Sequence, residues 1–446
     1  MLQAVAGVVS ADATDAAKYP DFRRRSMSAA TVAAVESNAT HAARLDRLAA
    51  VAIEVGLGLA RGQELLITAS LDALPLVRRI TEHAYRAGAS LVTTFYSDDE
   101  ATLARFRYAP DASFDTVATW LQDGIAQAFR NNAARMAIAG ANPALLAKED
   151  PEKVGRANRA FSKASRPAME LITRHAINWT IVAAATPAWA ASVFPREPEE
   201  VAIAKLWDAI FAASRVDAPD PVAAWRAHDD GLRKRAALLN DRRFSTLHFR
   251  GPGTDLRVGL ADDHVWMGGG TTAGNGLACI PNIPTEEVFT TPHCKRVEGT
   301  VTSTKPLSYQ GTLIAGIRVR FEGGRVVESH ATEGEAVLRK MLETDEGASQ
   351  LGEVALVPHS SPIAKSGLLF SNTLFDENAA SHIALGQAYS TCIRGGDTMD
   401  AAALSEKGAN DSLIHVDWMI GSGEIDLDGV TAAGATVPLM RKGEWV

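Results

Sequence analysis

Cysteine is scarce: Cys279, Cys294 and Cys392 are the three in 446 residues, and no two of them stand at CxxC spacing. That argues against a disulfide scaffold and fits a reducing compartment, so a cytoplasmic location is expected. No apolar run approaches the roughly twenty residues of a membrane helix, so no membrane partner is expected. Basic residues are not in excess either. The 45 Lys and Arg stand against 53 Asp and Glu, a formal charge of -8, which is the wrong balance for a nucleic-acid footprint. No glycine-rich phosphate loop follows the early strand patterns, and no Gly-x-Ser-x-Gly elbow occurs near His359 and Ser360. Nucleotide binding and serine-hydrolase chemistry lose their support.

What is present is ample material for two or three domains. Residues 1–26 read as a disordered extension or a mis-annotated start, with Met27 as a candidate initiator. An Ala/Leu-rich helix is expected over 42–61, ending at Gly62. A strand at 64–70, a helix at 74–87 closed by Gly88 and a strand at 90–96 make a βαβ unit, hence a parallel sheet. The same grammar returns in a strand at 177–185 and a helix at 197–214. After Asn240 the pattern changes to short strands with Gly-Pro-Gly turn signals. The expected fold is an α/β N-terminal domain over 27–240 and an α+β catalytic domain over 241–446.

The chemistry-bearing residues lie in that second half. Ile414 to Gly421 reads as a strand, and alternation puts His415 and Asp417 on one face with Ile414, Val416 and Trp418 on the other. An imidazole beside a carboxylate is half of a divalent-metal site, though taken alone the pair is more often a polar solvent face. Upstream, Asp376 to Tyr389 reads as a helix capped by Asp376 or Asn378. It would align His382, Gly386 and Tyr389 on one face, with Gly386 leaving space between imidazole and phenol. Glu377 stands at the mouth of that helix, where the dipole alone would explain an acid. Glu353 lies in a short apolar strand ending at Pro358. Glu286 and Glu287 lie in a strand bracketed by prolines and must face opposite ways.

Four strings, NIPTEEVFTTP, LGEVALVP, DENAASHIALG and HVDWMIG, occur in this order. Together they resemble the signature of the thermophilic metalloaminopeptidase family, the aminopeptidase T and aminopeptidase S group, over the chain from about residue 45 onward. The resemblance implies a two-metal exopeptidase acting on peptides with a free N-terminus, and a homodimer. It carries metal ligation onto Glu287, Glu353, His382, His415 and Asp417, with Glu377 a further acidic position. It also implies that Tyr389 acts at the scissile carbonyl. Glu353 is nominated as the bridge between two divalent ions, which could be zinc, cobalt, manganese or magnesium. Such a pair would make a shared water nucleophilic near neutral pH. Two rival readings keep the residues: a mononuclear non-haem iron ring-cleaving dioxygenase on the same scaffold, and a non-enzymatic metal-bound binding protein.

Overall fold

The computed structural model describes residues 29–309 and 312–446; the reading of residues 1–26 lies outside them. The chain divides at Arg44, and the described residues ahead of it are helical. Among the described residues no helix is long and apolar enough to cross a membrane.

After that division, the expected βαβ unit forms almost as read. The strand Glu64–Ser70 is followed by the helix Leu74–Ala87, ended by Gly88 in the left-handed conformation (φ 98°), and then by the strand Leu91–Ser97. The helix buries Leu76, Val77, Ile80 and Ala84, a stripe at helical spacing. Each large apolar side chain there contributes about 1.5–3 kcal/mol. Two further strands, Ala134–Ala139 and Trp179–Ala183, complete a four-stranded sheet that is parallel throughout. The strand Ala134–Ala139 went unseen in the sequence, because three of its six residues are Ala, which carries little β signal. The helix expected to end at Gly62 instead passes into a wider π turn, Ala52–Leu57, closed by Gly58 at φ 57°.

From Thr246 onward the sheets are antiparallel. One has eight strands and includes the hairpin Thr246–Gly251 and Thr254–Leu260. A second has five: in spatial order His415–Met419, His382–Gly386, Leu351–Leu356, Val288–Thr290 and the short Met267–Gly268. One face of this five-stranded sheet is apolar. Val354, Leu356, Ile383, Leu385, Val416 and Trp418 share a core with Phe249, Leu256 and Val258 of the larger sheet.

The core of the parallel sheet recruits side chains from the later chain. Ile280, Ile283, Phe370 and Phe375 pack into it, and Trp189 donates its indole N–H to the Phe370 carbonyl at 2.6 Å. Backbone pairing crosses over too, with Asn282 bridged in parallel fashion to Ile181. Two loops of the second half are thereby tied to the first, and both lead into the site described next.

Candidate metal centre

Strand register assembles the site. Glu353 pairs with Ala384, and Ala384 pairs with Asp417, so these three lie in one row across the sheet. Two residues along each strand give the next row on the same face, Ala355, His382 and Met419, while His415 stands opposite Gly386. The small Ala384 between the two acids leaves room above the sheet. Glu287 precedes Val288–Thr290 and stands two residues before Phe289, which pairs with Ala355, so it reaches the same face.

Six polar side chains meet there. His382 Nε2 is 3.2 Å from Glu287 Oε2 and 3.7 Å from Glu353 Oε1. His415 Nε2 is 3.4 Å from Asp417 Oδ1 and 3.7 Å from the second oxygen of Glu353. Two ligand-competent groups result, Glu287–Glu353–His382 and Glu353–His415–Asp417, each with donor atoms within 4.8 Å of one another. Glu377 belongs to neither group, but its carboxylate feels Glu287 and Asp417 strongly enough to hold its pKa well above the usual range, after burial itself. Tyr389 lies against His415, ring centroids 4.8 Å apart, and against Phe289 at 6.3 Å.

The electrostatics are those of an acid cluster short of positive charge. Burial, then the nearby Asp417 and Glu287, push Glu353 up to about 7, against the pull of His382. Burial opposes charging of His382, yet Glu287 and Glu353 outweigh it and the imidazole pKa rises well above its ordinary value. His415 likewise rises to about 9, burial being overcome by Asp417. Asp417 is lowered: His415 prevails over burial. Burial and the surrounding carboxylates raise the Tyr389 phenol, so it stays protonated, although half the residue's surface remains exposed.

These residues fit a divalent cation. Glu287 Oε2 and Asp417 Oδ1 are buried with no donor beyond the imidazole nitrogens 3.2 and 3.4 Å away, a costly condition for a carboxylate oxygen. Both imidazoles are oriented from behind. His382 Nδ1 lies 3.0 Å from the Ala380 carbonyl, and His415 Nδ1 lies 2.7 Å from that of Gln387. A carbonyl only accepts, so Nδ1 carries the proton and Nε2 is turned toward the acids, the usual arrangement of a metal-ligating histidine.

The sequence reading placed these residues together by a partly mistaken route. The helix expected over Asp376–Tyr389 does not form. Asn372 caps a short helix, Thr373–Asp376, then comes a 3₁₀ turn at Glu377–Ala379, and His382–Gly386 is a strand. The Ala-rich stretch is taken into the sheet because Ile383 and Leu385 bury on one side while His382 and Ala384 serve the other. Gly386 therefore leaves no gap between imidazole and phenol. It sits at φ 107°, where a Cβ would meet the Ile414 carbonyl oxygen at 2.0 Å. His415 and Asp417 share a strand face as expected. Glu286 and Glu287 part as expected: Glu286 turns away to Arg215, 2.7 Å distant. The partners of Glu286, Arg215 and His228, went unnoticed, since nothing in their spacing links them to the later motifs. His264, His293, His330 and His359 belong to neither ligand group.

The chain is similar to known proteins over most of its length. Aminopeptidase T of Thermus thermophilus is 54% identical over 402 residues, covering 90% of this chain and 98% of the relative. Aminopeptidase T of Thermus aquaticus is 53% identical with the same coverage. The solved structure of wild-type AmpT from Thermus thermophilus superposes with a TM-score of 0.86 at 53% identity, over 90% of this chain and 99% of that one. The family described as thermophilic metalloprotease (M29) matches residues 41–445, and the chain belongs to that family.

Proposed function

We propose that the protein is a metal-dependent aminopeptidase that releases N-terminal amino acids from peptides. The observation that carries the reading is the shared position of Glu353. One of its oxygens faces His382, beside Glu287, and the other faces His415, beside Asp417. Two divalent ions would be held there, one by Glu287, Glu353 and His382 and the other by Glu353, His415 and Asp417. Glu287, Glu353, Glu377 and Asp417 supply four negative charges, the number that two such ions neutralise. Oxygen-rich surroundings with two imidazoles suit zinc, cobalt, manganese or magnesium. The relatives' names support peptides with a free N-terminus as substrate.

Bound divalent ions at such a site polarise a carbonyl and bring the pKa of water toward neutrality. The chain's own contribution is orientation and charge. The carbonyls of Ala380 and Gln387 pin the two imidazoles, and the strand register fixes Glu353 relative to Asp417. Tyr389 keeps its proton and donates a hydrogen bond to the scissile carbonyl oxygen as negative charge builds there. Burial of Glu353 and His382 excludes bulk water from the inner half of the centre.

A cytoplasmic homodimer accompanies this reading, supported for the compartment by three buried free thiols. The division near residue 240 has its support in the change from a parallel sheet before it to antiparallel sheets after it. The relatives lend no support to the single-iron ring-cleaving alternative.

Metal removal tests the reading. Hydrolysis of aminoacyl-anilides should vanish on exhaustive chelation and return with about two equivalents of divalent ion per chain. Full recovery at one equivalent would refute the paired site. Failure of every divalent ion to restore turnover would refute the peptidase.

A further inference from the structure

We propose that Asn378, backed by the buried Glu286, is the positioning residue that aims Glu287 and Glu377 at the metal centre; the inference rests on the metallopeptidase reading above. Glu353, His382, His415 and Asp417 stand on hydrogen-bonded strands, and their register alone fixes where they point. Glu287 and Glu377 do not share that advantage. Glu287 precedes the strand Val288–Thr290, and Glu377 opens the turn Glu377–Ala379. Their aim has to be set by other contacts.

Asn378 is fully buried between the two segments. Its Oδ1 accepts the Glu286 backbone N–H at 2.7 Å. Its Nδ2 donates to the Leu374 carbonyl at 3.0 Å and to Glu377 Oε1 at 3.4 Å. Its own carbonyl accepts from the Ser361 hydroxyl at 3.1 Å. One amide side chain thus ties the backbone beside Glu287 to the carboxylate of Glu377.

The far side of the same segment is held as firmly. Arg215 Nη2 donates to Glu286 Oε2 at 3.0 Å, and Nη1 lies 2.7 Å from Oε1. His228 Nε2 donates to the Thr285 carbonyl at 2.8 Å, and its Nδ1 accepts from Arg215 Nη2 at 3.1 Å. Both ring nitrogens are thereby assigned and the imidazole is neutral, in keeping with burial, which lowers its pKa. The guanidinium rests over the Trp225 ring, 4.9 Å from its centroid.

The Thr285 carbonyl, the Glu286 N–H and the Glu286 carboxylate are therefore all held. A buried ion pair of this kind contributes little net stability, because desolvation offsets most of the attraction and apolar residues of similar volume would hold the fold as well. Its particular effect is direction. With the Glu286 carboxylate fixed on one side, alternation sends that of Glu287 to the other, toward His382. Contacts behind a ligand commonly alter metal affinity by about 10–100-fold.

The test is a Co²⁺ titration of the metal-free full chain, followed by visible absorption, for wild type, Asn378→Ala and Glu286→Gln. Both variants should bind Co²⁺ at least about tenfold more weakly than wild type, with an altered band pattern. A purely structural role would lower the melting temperature of the metal-free protein and leave the Co²⁺ dissociation constant and spectrum unchanged. Unchanged affinity and spectrum in both variants overturn the proposal. Glu286→Gln is nearly isosteric and decides the matter should Asn378→Ala fail to fold. Wild-type protein that binds no Co²⁺ would sink the metallopeptidase reading itself, so the two failures are distinguishable.

Discussion

Val354, Leu356, Ile383, Leu385, Val416 and Trp418 point to one side of the five-stranded sheet, and Glu353, His382, His415 and Asp417, their neighbours in the chain, point to the other. Both sets are mostly buried. The first is stabilised by being removed from water, whereas the second sets Glu353 near Asp417, whose Oδ1, like Oε2 of the adjoining Glu287, has no donor beyond an imidazole nitrogen. The apolar face holds the sheet against its larger neighbour, and that packing provides the rigidity with which the polar face keeps groups that would otherwise repel one another. Stability and chemistry are thus separated by a single pleat.

Substitutions on the two opposite faces sharpen this contrast most. Trp418→Ala should cost about 3–5 kcal/mol of stability through the cavity it leaves, read as a lowered midpoint in denaturant. Glu353→Ala should leave the metal-free protein folded and lower kcat/KM by roughly 10³-fold or more, the several kcal/mol that metal-assisted transition-state stabilisation supplies. Similar profiles for the two variants would show that the faces are not functionally distinct. Tyr389→Phe, at the rim of the polar face, should lower kcat by roughly 10²-fold with little change in KM, as loss of one hydrogen-bond donor to a developing oxyanion does. An unchanged kcat would remove Tyr389 from the mechanism.

The smallest effect is one of pH, and only the polar face should show it. His415 holds its proton more tightly in the fold, at about 9 against an ordinary 6.5. Its stabilisation of the metal-free protein is complete below pH 6.5 and is lost as pH rises through 9. Glu353, raised from 4.5 to about 7, acts in the same direction: its stabilisation is complete below pH 4.5 and lost as pH rises through 7. Asp417, lowered from 3.8, has already made its contribution above that pH and does not oppose the trend. The melting temperature of the metal-free protein should therefore fall between pH 6.5 and 9, and a saturating divalent ion should abolish the fall. A flat profile without metal would mean the acids and imidazoles do not couple as their distances indicate.

Much of this was legible in the chain itself. The strand carrying His415 and Asp417 follows from period-two alternation, and the opposite facing of Glu286 and Glu287 follows from the same rule. The stretch from Asp376 to Tyr389 was not, because Ala, Leu and Gly at near-helical spacing describe a helix as well as a buried strand. What settles it is the pairing of His382–Gly386 between two other strands, a contact between segments about thirty residues apart on either side. His382 and Tyr389 still come to the site, but from a strand and the loop after it.

By itself the sequence determined the residue types, their alternation along each strand, and the parallel grammar of the first half, since these depend on neighbours a few positions away. Only the tertiary structure decided that Glu353 would stand in one row with Ala384 and Asp417, and that Arg215, His228 and Asn378 would grip the residues ahead of Glu287. Those relations join residues as many as 92 positions apart. They are set by strand register and by the satisfaction of buried polar groups, neither of which any local pattern encodes.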